Sequence, residues 1–80
     1  MSVNKSGRRI RAARALHNPR LTQDDLTARM QLEGFDISKN SISRIELGKR
    51  LVTDLELVAF AKVLNVSTAW LLEETSTPDR

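Results

Sequence analysis

Apolar residues recur along this chain at helical rather than alternating spacing, in five stretches separated by turn residues. From about Ser6 to His17, the residues Ile10, Ala13, Arg14 and His17 share one face at i, i+3, i+4, i+7 spacing. Asn18-Pro19 ends that stretch, because proline disfavours helix in the residue before it. A second helix opens at Thr22, whose hydroxyl suits a cap, with Asp24 and Asp25 at the positive end of the helix dipole. Thr22-x-x-Asp25 is an imperfect capping box, aspartate being shorter than the usual Glu or Gln. Leu26 and Met30 form the apolar stripe, Gly34 is the natural stop, and Phe35 is placed to clamp the last turn. Ser38 caps a third helix ending at Gly48. Thr53-x-x-Glu56 is a full capping box for a fourth. There Leu57, Phe60, Ala61 and Leu64 form one row, with Leu55 and Val58 widening the stripe. Ser67 caps a short fifth helix carrying Ala69, Trp70, Leu71 and Leu72, and the polar tail Ser-Thr-Pro-Asp-Arg is expected to fray. The pattern predicts an all-α, compact five-helix domain with short connections.

The third helix has two unlike faces. In SKNSISRIELGKR, residues 38–50, Ile42, Ile45 and Glu46 fall on one side, and Asn40, Ser43, Arg44 and Leu47 on the other. The second face carries amide, hydroxyl and guanidinium groups, which can match the hydrogen-bond patterns of base edges, and the basic hook Lys49-Arg50 comes directly after it. Leu47 is left out of the candidate site, since single exposed leucines are ordinary. Glu46 sits in the last turn, where the dipole disfavours an acid by about 0.3–1 kcal/mol, and on the side that should face the core. A buried carboxylate needs a cation. Arg14, on the face of Ile10 and Ala13, is the best candidate for an ion pair joining the first helix to the third; the alternative is a solvated Glu46 at the rim.

Composition adds limits. Eighty residues make one small domain, and the absence of cysteine removes both disulfides and a cysteine-based zinc site. No apolar run approaches a membrane span and no signal-peptide pattern stands at the start, so the expected location is cytoplasmic. Lys5, Arg8, Arg9, Arg11, Arg14 and Arg20 fall within residues 1–20, which hold no acid, while the whole chain is only +3. A basic end on a mildly acidic body suggests a polyanionic partner. Arg8 and Arg9 lie in a first helical turn, where the dipole disfavours cations, so phosphate contact and plain solvation are both open for them. With one histidine, no carboxylate pair beside a base and no Gly-rich phosphate loop, no enzyme is expected, and no cofactor, metal or small-molecule ligand is indicated. Aromatic residues are 4% of the chain, too few for the stacking platforms that bind single-stranded RNA.

The run IRAAR…LTQDDLTARM…ISKNSISRIELGKR…LELVAFAKVLNVSTAWLL resembles the lambda-repressor-like, Cro-type helix-turn-helix family over about residues 7–73. The resemblance implies a domain at 7–73 between a basic arm at 1–6 and a polar tail at 74–80, with the start of the third helix entering the major groove. Carried over by position, the base-reading residues are Ser38, Lys39, Asn40, Ser43 and Arg44. Gln23 contacts phosphate and braces the recognition helix, and Lys49 and Arg50 belong to a backbone-contacting loop. The family also pairs an arginine of helix 1 with the glutamate of the RIE run, here Arg14 and Glu46.

There are two departures from the family pattern. The connection from Leu26 to Ser38 is about five residues longer than usual, which is expected to lengthen the second helix by a turn and loosen the turn after it. The first connection is longer through Asn18-Pro19-Arg20, which either brings Arg20 near phosphate or only extends a loop.

The implied function is a sequence-specific double-stranded DNA-binding transcriptional regulator, a repressor of bacterial or phage type, acting as a homodimer. The expected dimer residues are Trp70, Leu71 and Leu72, although Trp70 suits the core equally well. The competing function is a protein-interaction module on the same fold, such as an antitoxin or adaptor. Against it, the outer face of the third helix has no large apolar anchor besides Leu47.

Overall fold

A computed structural model describes residues 5–79; residues 1–4 of the expected basic arm, and Arg80, lie outside the described residues. The described chain forms α1 (Ser6–Leu16), α2 (Gln23–Leu32), α3 (Lys39–Glu46), α4 (Asp54–Leu64) and α5 (Thr68–Leu71). No helix among the described residues is long and apolar enough to cross a membrane.

Local chemistry sets the helix ends. The hydroxyls of Thr22, Ser38, Thr53 and Ser67 accept from the backbone N–H three residues on, capping α2 to α5. The shorter Asp25 nevertheless closes its capping box: the Thr22 N–H donates to Asp25 Oδ2 at 2.9 Å and the Asp25 N–H to Thr22 Oγ1 at 3.0 Å. At the other ends, Gly34 (φ +92°), Gly48 (φ +77°), Asn65 (φ +58°) and Glu73 (φ +62°) take the left-handed conformation. Each turns the chain so that the next residue donates back into the helix, Phe35 to the Met30 carbonyl at 2.9 Å and Lys49 to the Arg44 carbonyl at 2.8 Å. Glycine at Gly34 and Gly48 lets the chain reverse there without a Cβ penalty.

Every helix gives its buried residues to one core. Ile10 and Ala13 of α1 meet Leu26 and Met30 of α2, Ile42 and Ile45 of α3, Phe60 and Leu64 of α4, and Trp70 and Leu71 of α5. Leu21, Ile37 and Val66 bury the connections as well. The turn after α2 is accordingly firm rather than loose: Phe35 packs against the core, Ile37 is 4% exposed, and the Ile37 N–H donates to the Phe35 carbonyl at 3.0 Å. Of the residues Gln31–Phe35, Gln31 and Leu32 end α2, and Glu33, Gly34 and Phe35 form the turn after it.

Two further expectations are corrected. Leu55 and Val58 do not widen the stripe of α4; they are exposed, because the helix turns Ala59, Phe60, Ala61 and Leu64 inward. The small Ala59 and Ala61 on either side of Phe60 let neighbouring helices approach on that side. The described part of the tail is held at Pro78, whose carbonyl accepts from the Ser67 N–H at 3.1 Å, and just before it the Thr75 carbonyl accepts from Arg9 at 3.3 Å.

Glu56 is the buried acid of α4. Burial alone would push its carboxyl up, but hydrogen bonds from Arg50 and from the Thr53 backbone outweigh that and hold it below the ordinary range. A carboxylate depressed in the folded state contributes stability above its unfolded pKa, and that stability is lost as pH falls through the folded one. Urea unfolding should therefore show Glu56→Gln less stable than the wild type at pH 7, with the gap closing below about pH 4, the ordinary glutamate range. A gap that is unchanged at pH 3 would refute this account.

Candidate nucleic-acid interface

The orientation of α3 is set by a clamp at its C-terminal end. Arg14 Nε donates to Glu46 Oε2 at 2.7 Å and Arg14 Nη2 to Glu46 Oε1 at 2.8 Å, while Arg14 Nη1 donates to the Leu21 carbonyl at 3.0 Å. Gln23 Nε2 adds a bond to Glu46 Oε1 at 3.1 Å. The side chains are 11% and 3% exposed for Arg14 and Glu46, so this is a bidentate pair largely out of solvent. The Glu46 hydrogen bond raises the Arg14 pKa against the opposing effect of burial. The pair expected from the sequence is thus present, and Gln23 braces the same carboxylate from α2. Among the described residues no buried side-chain nitrogen or oxygen lacks a hydrogen-bond partner.

With Ile42 and Ile45 fully buried, the opposite face of α3 must point outward. Asn40 and Arg44, four residues apart, are exposed on it, and Ser43 is half-buried between α3 and its neighbours. Ser38 spends its oxygen on the cap, accepting from the Ser41 N–H at 3.0 Å, and its hydroxyl also reaches Ser41 Oγ at 3.0 Å. Lys39 stands 3.4 Å from Asp24, with both side chains well exposed, a contact too weak and too wet to hold the ammonium. Beyond Gly48, Lys49 is exposed.

Two more basic residues join this face: Arg11, which the sequence did not single out, and Arg20, for which phosphate contact and a plain loop were both open. Arg11 lines a shallow depression with Gln23, Ser43, Glu46 and Leu47. Arg20 lines another with Thr22, Gln23, Asp24 and Lys39. Arg11 lies three residues before Arg14 on α1, so helical spacing alone could have placed it beside the clamp. Arg20 comes from a loop, where no periodicity applies.

Other expected site residues have partners elsewhere. Arg50 donates to Glu56 Oε1 at 3.2 Å and Oε2 at 3.1 Å and to the Leu51 carbonyl at 3.0 Å, which ties the α3–α4 connection to the α4 capping box. Arg8 donates to Glu73 at 2.6 Å, and that bond holds the Glu73 carboxyl below the usual range. Arg9 lies over the Trp70 ring, 4.6 Å from its centroid, and donates to the Trp70 carbonyl at 3.1 Å. These two arginines pin α1 to the C-terminal segment rather than to α3. Trp70 and Leu71 are corrected as dimer residues: they are 6% and 0% exposed within a single chain, because a bulky ring in so small a domain is needed to fill its core, and Leu72 is half-buried.

The arrangement is a rigidly seated short helix showing an amide and a guanidinium, surrounded by the exposed cations Arg11, Arg20, Lys39 and Lys49. Among the described residues no group of His, Cys, Asp or Glu is placed to hold a metal. A helix-turn-helix family model matches residues 10–71, which takes in all five helices except the first turn of α1. Neither the curated proteins nor the solved structures give a match.

Proposed function

We propose that this chain, which belongs to the Cro/C1-type helix-turn-helix family of DNA-binding regulatory domains, is a sequence-specific transcriptional regulator that reads the major groove of double-stranded DNA with α3. The observation that carries this reading is the exposed Asn40–Arg44 pair on a helix whose other face is fixed by two buried isoleucines and the Arg14–Glu46 clamp. Asn40 suits a bidentate contact to adenine, and Arg44 or Lys39 the O6/N7 edge of guanine. Lys49 and Gln23 suit phosphate, with Arg11 and Arg20 extending the same positive rim. Arg50 contributes indirectly, by holding the Lys49 loop through Glu56. The regulator is a repressor of bacterial or phage type working in the cytoplasm as a homodimer on paired half-sites.

Selection of binding sites from a random DNA pool tests this. The wild type should enrich one site. Asn40→Ala should lose preference at one or two base positions, by about 1–3 kcal/mol each. Lys49→Ala should weaken binding to all sequences alike and lower the salt slope by about one. No enriched site, with both variants binding as the wild type does, would exclude base readout by α3.

A further inference from the structure

The outer face of α4 is apolar and solvent-exposed in the single chain. Leu55 and Val58 are 70% and 59% exposed one turn apart, and Leu51, in the connection just before the Thr53 cap, is 65% exposed. Three large apolar side chains at about two-thirds exposure, two on α4 and one in the connection leading into it, are more than scattered surface leucines. The charges beside them have a definite order. Asp54 lies four residues before Val58 and Lys62 four residues after it, both exposed, and four-residue spacing keeps all three on one side of the helix.

From this order we infer that the outer face of α4 is an isologous dimer surface, on which a second copy of this chain packs its own α4 antiparallel about a two-fold axis beside Val58. The inference rests on the DNA-binding reading for its use, though not for its geometry. A two-fold at Val58 brings Asp54 of one chain opposite Lys62 of the partner subunit, and repeats the pair on the other side of the axis. Leu51 and Leu55 then pack on either side of the two Val58 side chains. An unrelated partner would not call for a face whose opposite charges are spaced symmetrically about its apolar centre; a second copy does. Lys62 already meets Glu33 of its own chain at 2.8 Å, yet its side chain is 63% exposed and its ammonium has three donors, so a second carboxylate can be accommodated.

The position also suits paired readout. Leu51 comes directly after the Lys49-Arg50 connection, so the face adjoins the proposed DNA side. The face is small, so the dimer is weak in free solution and is strengthened when both copies hold DNA.

Sedimentation equilibrium of the full chain over a wide concentration range tests the interface without DNA. The wild type should self-associate reversibly. Val58→Glu and Leu55→Glu, both at exposed positions and checked for native circular dichroism, should remain monomeric. Asp54→Lys and Lys62→Asp should each weaken association at least tenfold, and the double variant carrying both should regain it. A wild type that stays monomeric throughout, a V58E variant that associates as the wild type does, or a double swap that stays as weak as its singles would overturn the proposal. Binding of V58E to a DNA fragment holding one half-site separates the two readings: it should match that of the wild-type monomer. Failure of the wild type to bind that fragment counts against DNA reading, and the sedimentation result still decides the dimer.

Discussion

Glu46→Ala should unfold on the order of 15 °C below the wild type, although it removes a single carboxylate and opens only a small void. Glu46 is 3% exposed at its side chain and accepts from Arg14 twice and from Gln23 once. Its removal strands the Arg14 guanidinium, 11% exposed, with only the Leu21 carbonyl as a partner. Breaking a buried pair on one side costs about 3–5 kcal/mol, because the remaining charge is desolvated and uncompensated. In a domain of this size each kcal/mol is worth about 4–8 °C in Tm. The pair is not valuable in itself, since its Coulomb attraction largely repays desolvation. Replacing both ends at once, Arg14→Met with Glu46→Leu, should therefore recover most of the loss. Thermal melts of Arg14→Met, Glu46→Leu and the double decide the matter: a double variant that stays as unstable as either single would mean that the pair contributes net stability and not only compatibility.

The same clamp explains why so much of this fold can be read from the sequence. An acid in the last turn of a helix, on the side of two isoleucines, has few physical solutions, and an arginine on the core side of α1 is the one the chain offers. The helix ends were legible for a similar reason: capping hydroxyls, glycines and the Thr53–Glu56 box are local chemistry, and they act locally in the structure too. What could not be read depends on which way a nearly all-apolar helix turns. In α4, Leu55 and Val58 are as hydrophobic as Phe60 and Leu64, and periodicity does not say which pair is buried. Contacts between distant parts of the chain were also out of reach. Arg8 with Glu73, Arg50 with Glu56 and Arg9 over Trp70 each convert a cation that composition offers to a polyanion into a brace. On the outer face of α3 the exposed residues followed from helical spacing, whereas the place of Arg20 beside them needed the path of a loop.

Trp70→Ala should cost about 3–5 kcal/mol and should do so independently of protein concentration, which distinguishes a core residue from an interface residue. The indole is 6% exposed within one chain, and its outer face is covered by the Arg9 guanidinium at 4.6 Å. Truncation removes the ring from a core shared with Ile10 and Phe60 and leaves Arg9 without its aromatic support, worth about 0.5–1 kcal/mol of the total. Arg9 also donates to the Trp70 and Thr75 carbonyls, so the hold on the C-terminal segment should loosen with it. Small domains have only about 5–15 kcal/mol of stability in all, so the alanine variant can be partly unfolded at ordinary temperature. Trp70→Phe keeps an aromatic ring under Arg9 and should lose less than half as much. Urea denaturation followed by circular dichroism, at two protein concentrations tenfold apart, reads out both variants. If a dimer contact were what Trp70 supplied, wild-type midpoints would climb with concentration while those of Trp70→Phe and Trp70→Ala would not. If the ring fills the core of each chain, the substitutions lower the midpoint by the same amount at both concentrations, and any concentration dependence that the wild type shows is lost instead in Val58→Glu.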